Sequence, residues 1–334
     1  MIGQNEITFW ICYSNLPRWR TERLNKLIVK IYIDEKINLE QFFNLDESIW
    51  KNIYELNEKE VSDLKIAKGE LPAITFLAEE LTHKGYEVIP INSPDYSPAL
   101  KENLKLRYSP PLLYAYGNKK ILREKSIAIV GSRDATETSL QFTDYIAKMA
   151  SNQFKVVVSG FAKGVDKQAL DSALKYKGQS ILVLPQGILT FEAGIKKYIK
   201  QISDGDALVL SNFHPKAPWS AGLAMARNPV IYGLADEIYV AQSSDSGGTW
   251  QGVVDGLRKG RIIFVRKPEE GESNSNNLLI EKGAIPVDMN GNVISNSKIE
   301  QEQKVYPNEM NQMAMIFEKK EEYNQGRESI IKDE

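Results

Sequence analysis

A chain of 334 residues with 42% hydrophobic and 26% charged residues is ordinary globular material, long enough for two domains and a sizeable core. The formal net charge of -2 excludes a protein that is polybasic throughout, while leaving room for a local basic face. The single cysteine, Cys12, excludes an internal disulfide, and with only His83 and His214 beside it no zinc-ligand cluster can be assembled; no metal or cofactor is expected.

In chain order, an apolar run from Trp10 to Leu16 precedes the basic Arg18, Arg20 and Arg23, the reverse of a secretory signal. No apolar run approaches the ~20 residues of a membrane helix. A cytoplasmic protein with no membrane association is therefore expected. Residues 7–85 show helical spacing over 8–13, Thr21 to Tyr32, Leu39 to Phe43, Ser48 to Tyr54, Glu58 to Lys68 and Pro72 to Lys84. Pro72 reads as a first-turn proline and Gly85 as a C-cap. This predicts a small helical domain over 1–85, with Trp10, Trp19, Phe42, Phe43 and Trp50 as its core.

Strands follow at 86–90 and 112–117, separated by a Pro-rich connection over 92–100. From 126 the alternation is regular. Strands are expected near 127–131, 156–160, 180–185, 207–211, 237–242 and 261–266. Helices are expected near 137–151, 166–176, 192–202, 221–233, 249–259 and 275–282. Continuously apolar strands alternating with helices predict an α/β core over 86–287, a Rossmann-like, mostly parallel, doubly wound sheet. Glu269 to Asn277 reads as a surface loop. The pattern weakens after Val287, so 288–334 is expected to be a short flexible C-terminal segment with one helical candidate, Asn308 to Tyr323.

Ligands of parallel sheets bind outside the carboxyl ends of the strands. Here those ends carry Gly131-Ser132-Arg133, Ser159 to Asp166, Pro185 to Gly187, Ser211 to His214 and Ser243 to Thr249. Glycine lets the backbone approach a phosphate, helix N–H groups point at it, and Arg133 and Lys163 add charge. The dinucleotide fingerprint is absent, because Arg133 and Thr136 stand where it needs glycine, and there is no Gly-Lys-Ser/Thr phosphate loop. Ser243 to Thr249 opens a helix and serves either as a capped surface loop or as a phosphate or ribose cradle. Asp166 reads as a capping carboxylate at a helix start. His214 has no Ser or Asp at a recognisable triad spacing. Arg227, ahead of Asn228 and Pro229, is either a surface arginine or a phosphate contact, and Pro229 suggests a kink or a late helix start.

Several of these segments resemble the DNA-processing family known as DprA or Smf. The likeness is densest at Ile127-Ala-Ile-Val-Gly-Ser-Arg133 and Val158-Ser-Gly-Phe-Ala-Lys-Gly-Val-Asp166. It continues at Asp95-Tyr-Ser-Pro-Ala-Leu-Lys101, Pro111 to Asn118, Asn228-Pro-Val-Ile-Tyr-Gly-Leu-Ala-Asp236 and Ser246-Gly-Gly-Thr249, and spans roughly 8–287. The resemblance implies an extended Rossmann-like fold behind a small, SAM-like helical domain. It implies a non-enzymatic homodimer that binds single-stranded DNA without sequence preference and loads a RecA-type recombinase in natural transformation. It assigns DNA-phosphate contacts to Gly131, Ser132, Arg133, Ser159, Gly160, Lys163, Gly164 and Arg227, with Gly247, Gly248 and Thr249 as a further cradle. Ala226 and Pro229 stand where the family often has arginines, which is expected to weaken DNA binding. No winged-helix domain of the family's kind fits after residue 288. The related LOG proteins handle nucleotide monophosphates with a Gly-Gly-x-Gly-Thr loop, so a nucleotide sensor or N-glycosidase of that wider superfamily, acting in defence, is the alternative. Its catalytic glutamate would fall at Gly252, which argues against that hydrolase chemistry. A protein-binding adaptor is a third reading.

Overall fold

Two asparagine caps start helices of the N-terminal layer. Asn38 and Asn57 each accept a hydrogen bond from the backbone three residues on, and Gln41 and Glu60 reach back to complete capping boxes. The computed structural model describes residues 3–294; the helical candidate at Asn308 to Tyr323 and the rest of the expected C-terminal segment after residue 294 lie outside the described residues. The layer comprises α1 (Gln4–Ser14), α2 (Thr21–Val29), α3 (Leu39–Phe43), α4 (Glu47–Asn52) and α5 (Glu58–His83). Trp10, Phe42, Phe43 and Trp50 are fully or almost fully buried, and Trp19 is half-buried with its Nε1 donating to Asp63 at 3.1 Å.

Pro72 is a correction to the sequence reading. It does not begin a helix; it lies inside the 26-residue α5. The lost N–H leaves the carbonyl of Lys68 without its helical partner, and Lys68 is exposed to water. Val61, Leu64 and Ala67 before the proline, and Leu77, Ala78 and Leu81 after it, are all buried. Tertiary packing on both sides outweighs the local break.

The remaining elements build one nine-stranded sheet. They are β1 (Glu87–Pro90), α6 (Pro98–Tyr108), β2 (Leu112–Gly117), β3 (Ser126–Val130), α7 (Glu137–Asn152), β4 (Val156–Ser159), α8 (Val165–Lys175), β5 (Ser180–Val183), α9 (Glu192–Asp204), β6 (Ala207–Ser211), α10 (Ala221–Leu234), β7 (Glu237–Val240), α11 (Gly247–Arg258), β8 (Ile263–Arg266), α12 (Asn276–Glu281) and β9 (Ile285–Val287). The strand order is β1-β2-β6-β5-β4-β3-β7-β8-β9. β1 and β2 pair antiparallel, as do β2 and β6; every other pairing is parallel.

Starting at β3, the chain steps outward through β4, β5 and β6, then returns through α10 to β7 on the other side of β3. One direction of travel places its crossover helices on one face, and the reversal places the next set on the other. Accordingly α7 and α8 pack together over Ile127, Ile129 and Val157. On the opposite face α10 packs against α6 and α11. Helix α6 begins within the last three residues of the expected Pro-rich connection: Ser97 caps it by accepting from the N–H of Leu100 at 3.2 Å, and Pro98 occupies its first turn. Pro229 lies within an unbroken α10, so neither the kink nor the late start expected there is needed. Among the described residues no helix is long and apolar enough to cross a membrane.

Candidate nucleic-acid interface

The reversal in strand order between β3 and β7 splays the chain apart at their carboxyl ends, where an open parallel sheet forms its ligand crevice. The turn after β3 and the turn after β4 meet there and hold each other. The N–H of Ser132 donates to the carbonyl of Gln242 at 2.9 Å, and the N–H of Val165 donates to the carbonyl of Ser132 at 3.2 Å. Gln242 also accepts from the N–H of Thr136 through its side chain at 2.9 Å. Gln242 thus clamps the β3 turn from β7, a role its sequence position does not announce.

Gly164 closes this contact. Its φ is +84°, and an added Cβ would lie 2.6 Å from the carbonyl oxygen of Arg133. Gly131, on the other turn, leaves similar clearance for Val165. Gly160 is required for a different reason. A Cβ there would stand 2.5 Å from both the guanidinium carbon of Arg227 and the Oδ2 of Asp166.

Arg227 is the largest departure from the sequence expectation. It is 3% exposed, neither a surface arginine nor placed to reach solvent. From α10 its Nη1 donates to the carbonyl of Gly160 at 2.5 Å and to that of Val183. The residue therefore ties the ends of β4 and β5 together from beneath the turn. Asp166 is also buried, and burial pushes its carboxyl up against the lowering influence of the Arg227 charge and of backbone groups at Ala162 and Gly160. The two side chains support the turn from below. Ser159 likewise points inward, its hydroxyl donating to the carbonyl of Ile129 at 2.8 Å.

Above this contact Arg133 of one turn and Lys163 of the other are exposed, while Gly131, Ser132 and Gly164 between them are half-buried. Arg133 is exposed, and the Lys163 side chain is 84% exposed with Asp134 3.8 Å away. Such a surface pair is worth little and leaves the lysine available to an anion. Arg133, Lys163 and Lys167 line an open groove of about 510 Å³ against Asp134 and Asp171. Lys167 is engaged by Asp171.

The segment from Ser243 to Thr249 follows β7 on the same edge. Ser243 donates through its N–H to Asn276 at 2.8 Å, and the hydroxyl of Ser244 donates to the carbonyl of Ser246 at 2.9 Å. Helix α11 starts at Gly247, two residues earlier than expected, and no side chain caps it. Gly248, Gly252 and Gly256 lie one helical turn apart and let α11 approach its neighbours closely. At Gly252 a Cβ would be 2.8 Å from the ring of Tyr232, so a glutamate there has no room. His214 is exposed and its Nδ1 accepts from the N–H of Lys216 at 3.3 Å. No cluster of three or more His, Cys, Asp or Glu able to hold a metal occurs among the described residues.

A family model described as DNA recombination-mediator protein A matches residues 87–298. The chain is 30% identical over 178 residues to DNA processing protein DprA of Streptococcus pneumoniae, covering 53% of this chain and 63% of that one. It is 30% identical over 186 residues to the Bacillus subtilis protein of the same name, covering 54% of this chain and 60% of that one. The match to these two curated relatives thus spans under two thirds of their length. The crystal structure of the Streptococcus pneumoniae protein shares the fold, with a TM-score of 0.61 at 24% identity over 86% of this chain and 95% of that one. A Helicobacter pylori DNA processing protein A, described for its single-stranded DNA binding mode, aligns with a TM-score of 0.50 at 26% identity over 60% of this chain and 90% of that one.

Proposed function

The chain belongs to the DNA recombination-mediator protein A family, and on that premise we propose that it binds single-stranded DNA through the paired turns at the carboxyl edge of its sheet. The observation that carries this reading is the joining of two glycine turns with Arg133 and Lys163 exposed above them. Open backbone plus mobile cations engages sugar-phosphate without reading base edges, which is what sequence-independent strand binding requires. Gly131, Ser132, Arg133, Lys163 and Gly164 form the contact surface, with Gly247, Gly248 and Thr249 continuing it past β7. Gly160, Ser159 and Arg227 act from within by holding the second turn in shape. The biological role that follows is non-enzymatic: a cytoplasmic homodimer that hands single strands to a RecA-type recombinase in DNA processing and natural transformation.

The Helicobacter pylori relative supports the ligand class, since it is described for its single-stranded DNA binding mode. A nucleotide N-glycosidase is the weaker reading, because Tyr232 fills the space a catalytic side chain at position 252 would need. Titrating the Arg133→Glu/Lys163→Glu double variant with a thymidine oligomer tests the proposal; affinity equal to the wild type would overturn it.

A further inference from the structure

Resting on that reading, we infer that Trp219 is a stacking platform for an unpaired nucleobase beside the phosphate-binding turns. Of the five tryptophans, the other four are buried or half-buried. Trp10 stacks on Tyr32, Trp50 donates to the carbonyl of Phe42, Trp19 donates to Asp63, and the Lys282 ammonium lies over the ring of Trp250. Trp219 is 53% exposed, and its indole makes no ring, cation–π or hydrogen-bonded contact among the described residues. It stands on the loop that follows β6, on the same carboxyl edge as the two glycine turns. β6 is two strands from β4, or about 10 Å along the edge.

The loop is built to present a side chain in a fixed place. The carbonyl of Ala217 accepts from the N–H of Gly187 at 2.9 Å, and the N–H of Ala217 donates to the carbonyl of His214 at 2.8 Å. Lys216 anchors the loop to α5 through Glu80 at 2.9 Å. On the other side of the ring, Ser220 caps α10 by accepting from the N–H of Leu223 at 3.1 Å. An open indole on the same sheet edge as a cationic turn has the two components of single-strand recognition: a charged track for the backbone and a π-face that accepts any base. The platform confers preference for unpaired strands, because in a duplex the base faces are already covered.

The experiment uses the full chain and two probes of about twenty nucleotides, a thymidine oligomer and an abasic oligomer of the same backbone. Trp219→Ala should weaken the thymidine oligomer by about five- to a hundredfold and leave the abasic oligomer unchanged, while Trp219→Phe stays close to wild type. Thymidine binding should also quench the exposed tryptophan emission, and Trp219→Ala should remove that quench. Equal loss on both probes, or loss on neither, overturns the stacking role. Failure of the wild-type chain to bind either probe overturns the DNA-binding reading itself, and the platform with it. Arg133→Glu separates the two, since it should weaken both probes alike.

Discussion

Arg227 and Gly160 occupy one space: the guanidinium donates to the glycine carbonyl at 2.5 Å and fills the volume a Cβ at that glycine would take. The second turn is therefore shaped by a buried cation from the opposite face of the sheet. Gly160→Ala must push against Arg227 and Asp166 and should destabilise by about 1–3 kcal/mol. Arg227→Ala removes hydrogen bonds to two strand-end carbonyls and leaves Asp166 without its nearby cation, at a cost of ~3 kcal/mol or more. In the double variant the alanine methyl enters space that the arginine has vacated, so the combined loss should fall short of the sum by at least about 0.5 kcal/mol. Denaturant titration of the four proteins measures this coupling, and strict additivity would show that the two residues do not share the space.

The cations above the turn should act electrostatically, without a role in folding. Arg133→Ala and Lys163→Ala should each leave the melting temperature within a degree or two, because both side chains are exposed. Each should reduce the slope of log affinity for a thymidine oligomer against log salt by roughly 0.7. Affinity measured between low and moderate salt gives the slope, and an unchanged slope would exclude these residues from phosphate contact.

Cys12 offers a probe of the N-terminal layer. It is buried at 3% exposure, its Sγ–H donates to the carbonyl of Ala67 at 3.3 Å, and burial pushes the thiol up to about 12. The thiolate is the reactive form, so near neutral pH alkylation of the folded chain should be slow and should follow opening of the α1–α5 packing. Mass spectrometry after a short iodoacetamide pulse should show an unmodified native protein and a single addition in denaturant. Complete modification under native conditions would contradict the burial.

How much of this was legible in the sequence depends on where the information resides. The strands β3 to β8 announce themselves because burial on both faces leaves continuous apolar runs such as Ile181 to Leu184. β9 does not, having only three residues. α6 carries a readable Ser97-Pro98 start, but Lys105 takes a φ of 55° and the apolar spacing around it is weak. At the interface, the glycines and exposed cations were visible because their chemistry is local. The inward turn of Ser159 and the burial of Arg227 were not. Their partners, the carbonyls of Ile129, Gly160 and Val183, belong to other strands, and every residue has a carbonyl. Gln242 is hidden for the same reason.

Ala226 tests whether the interface can be strengthened where family members often carry arginine. It is exposed on α10, one residue before the buried Arg227 and one after Met225, whose sulfur would lie 3.2 Å from a Cβ at Gly248. An arginine placed there adds one cation near the Gly247–Thr249 turn without entering the core. Ala226→Arg should leave stability within about 0.5 kcal/mol, since exposed helical sites tolerate alanine-to-arginine exchange. If the strand passes over the start of α11, affinity for a thymidine oligomer should rise severalfold at low salt and the salt slope should steepen by roughly 0.7. The control is Ile199→Arg, at an exposed position on α9. A gain confined to Ala226→Arg places the strand beside α10; equal gains at both sites would mean that added charge alone explains the effect, and no gain would route the strand away from α10.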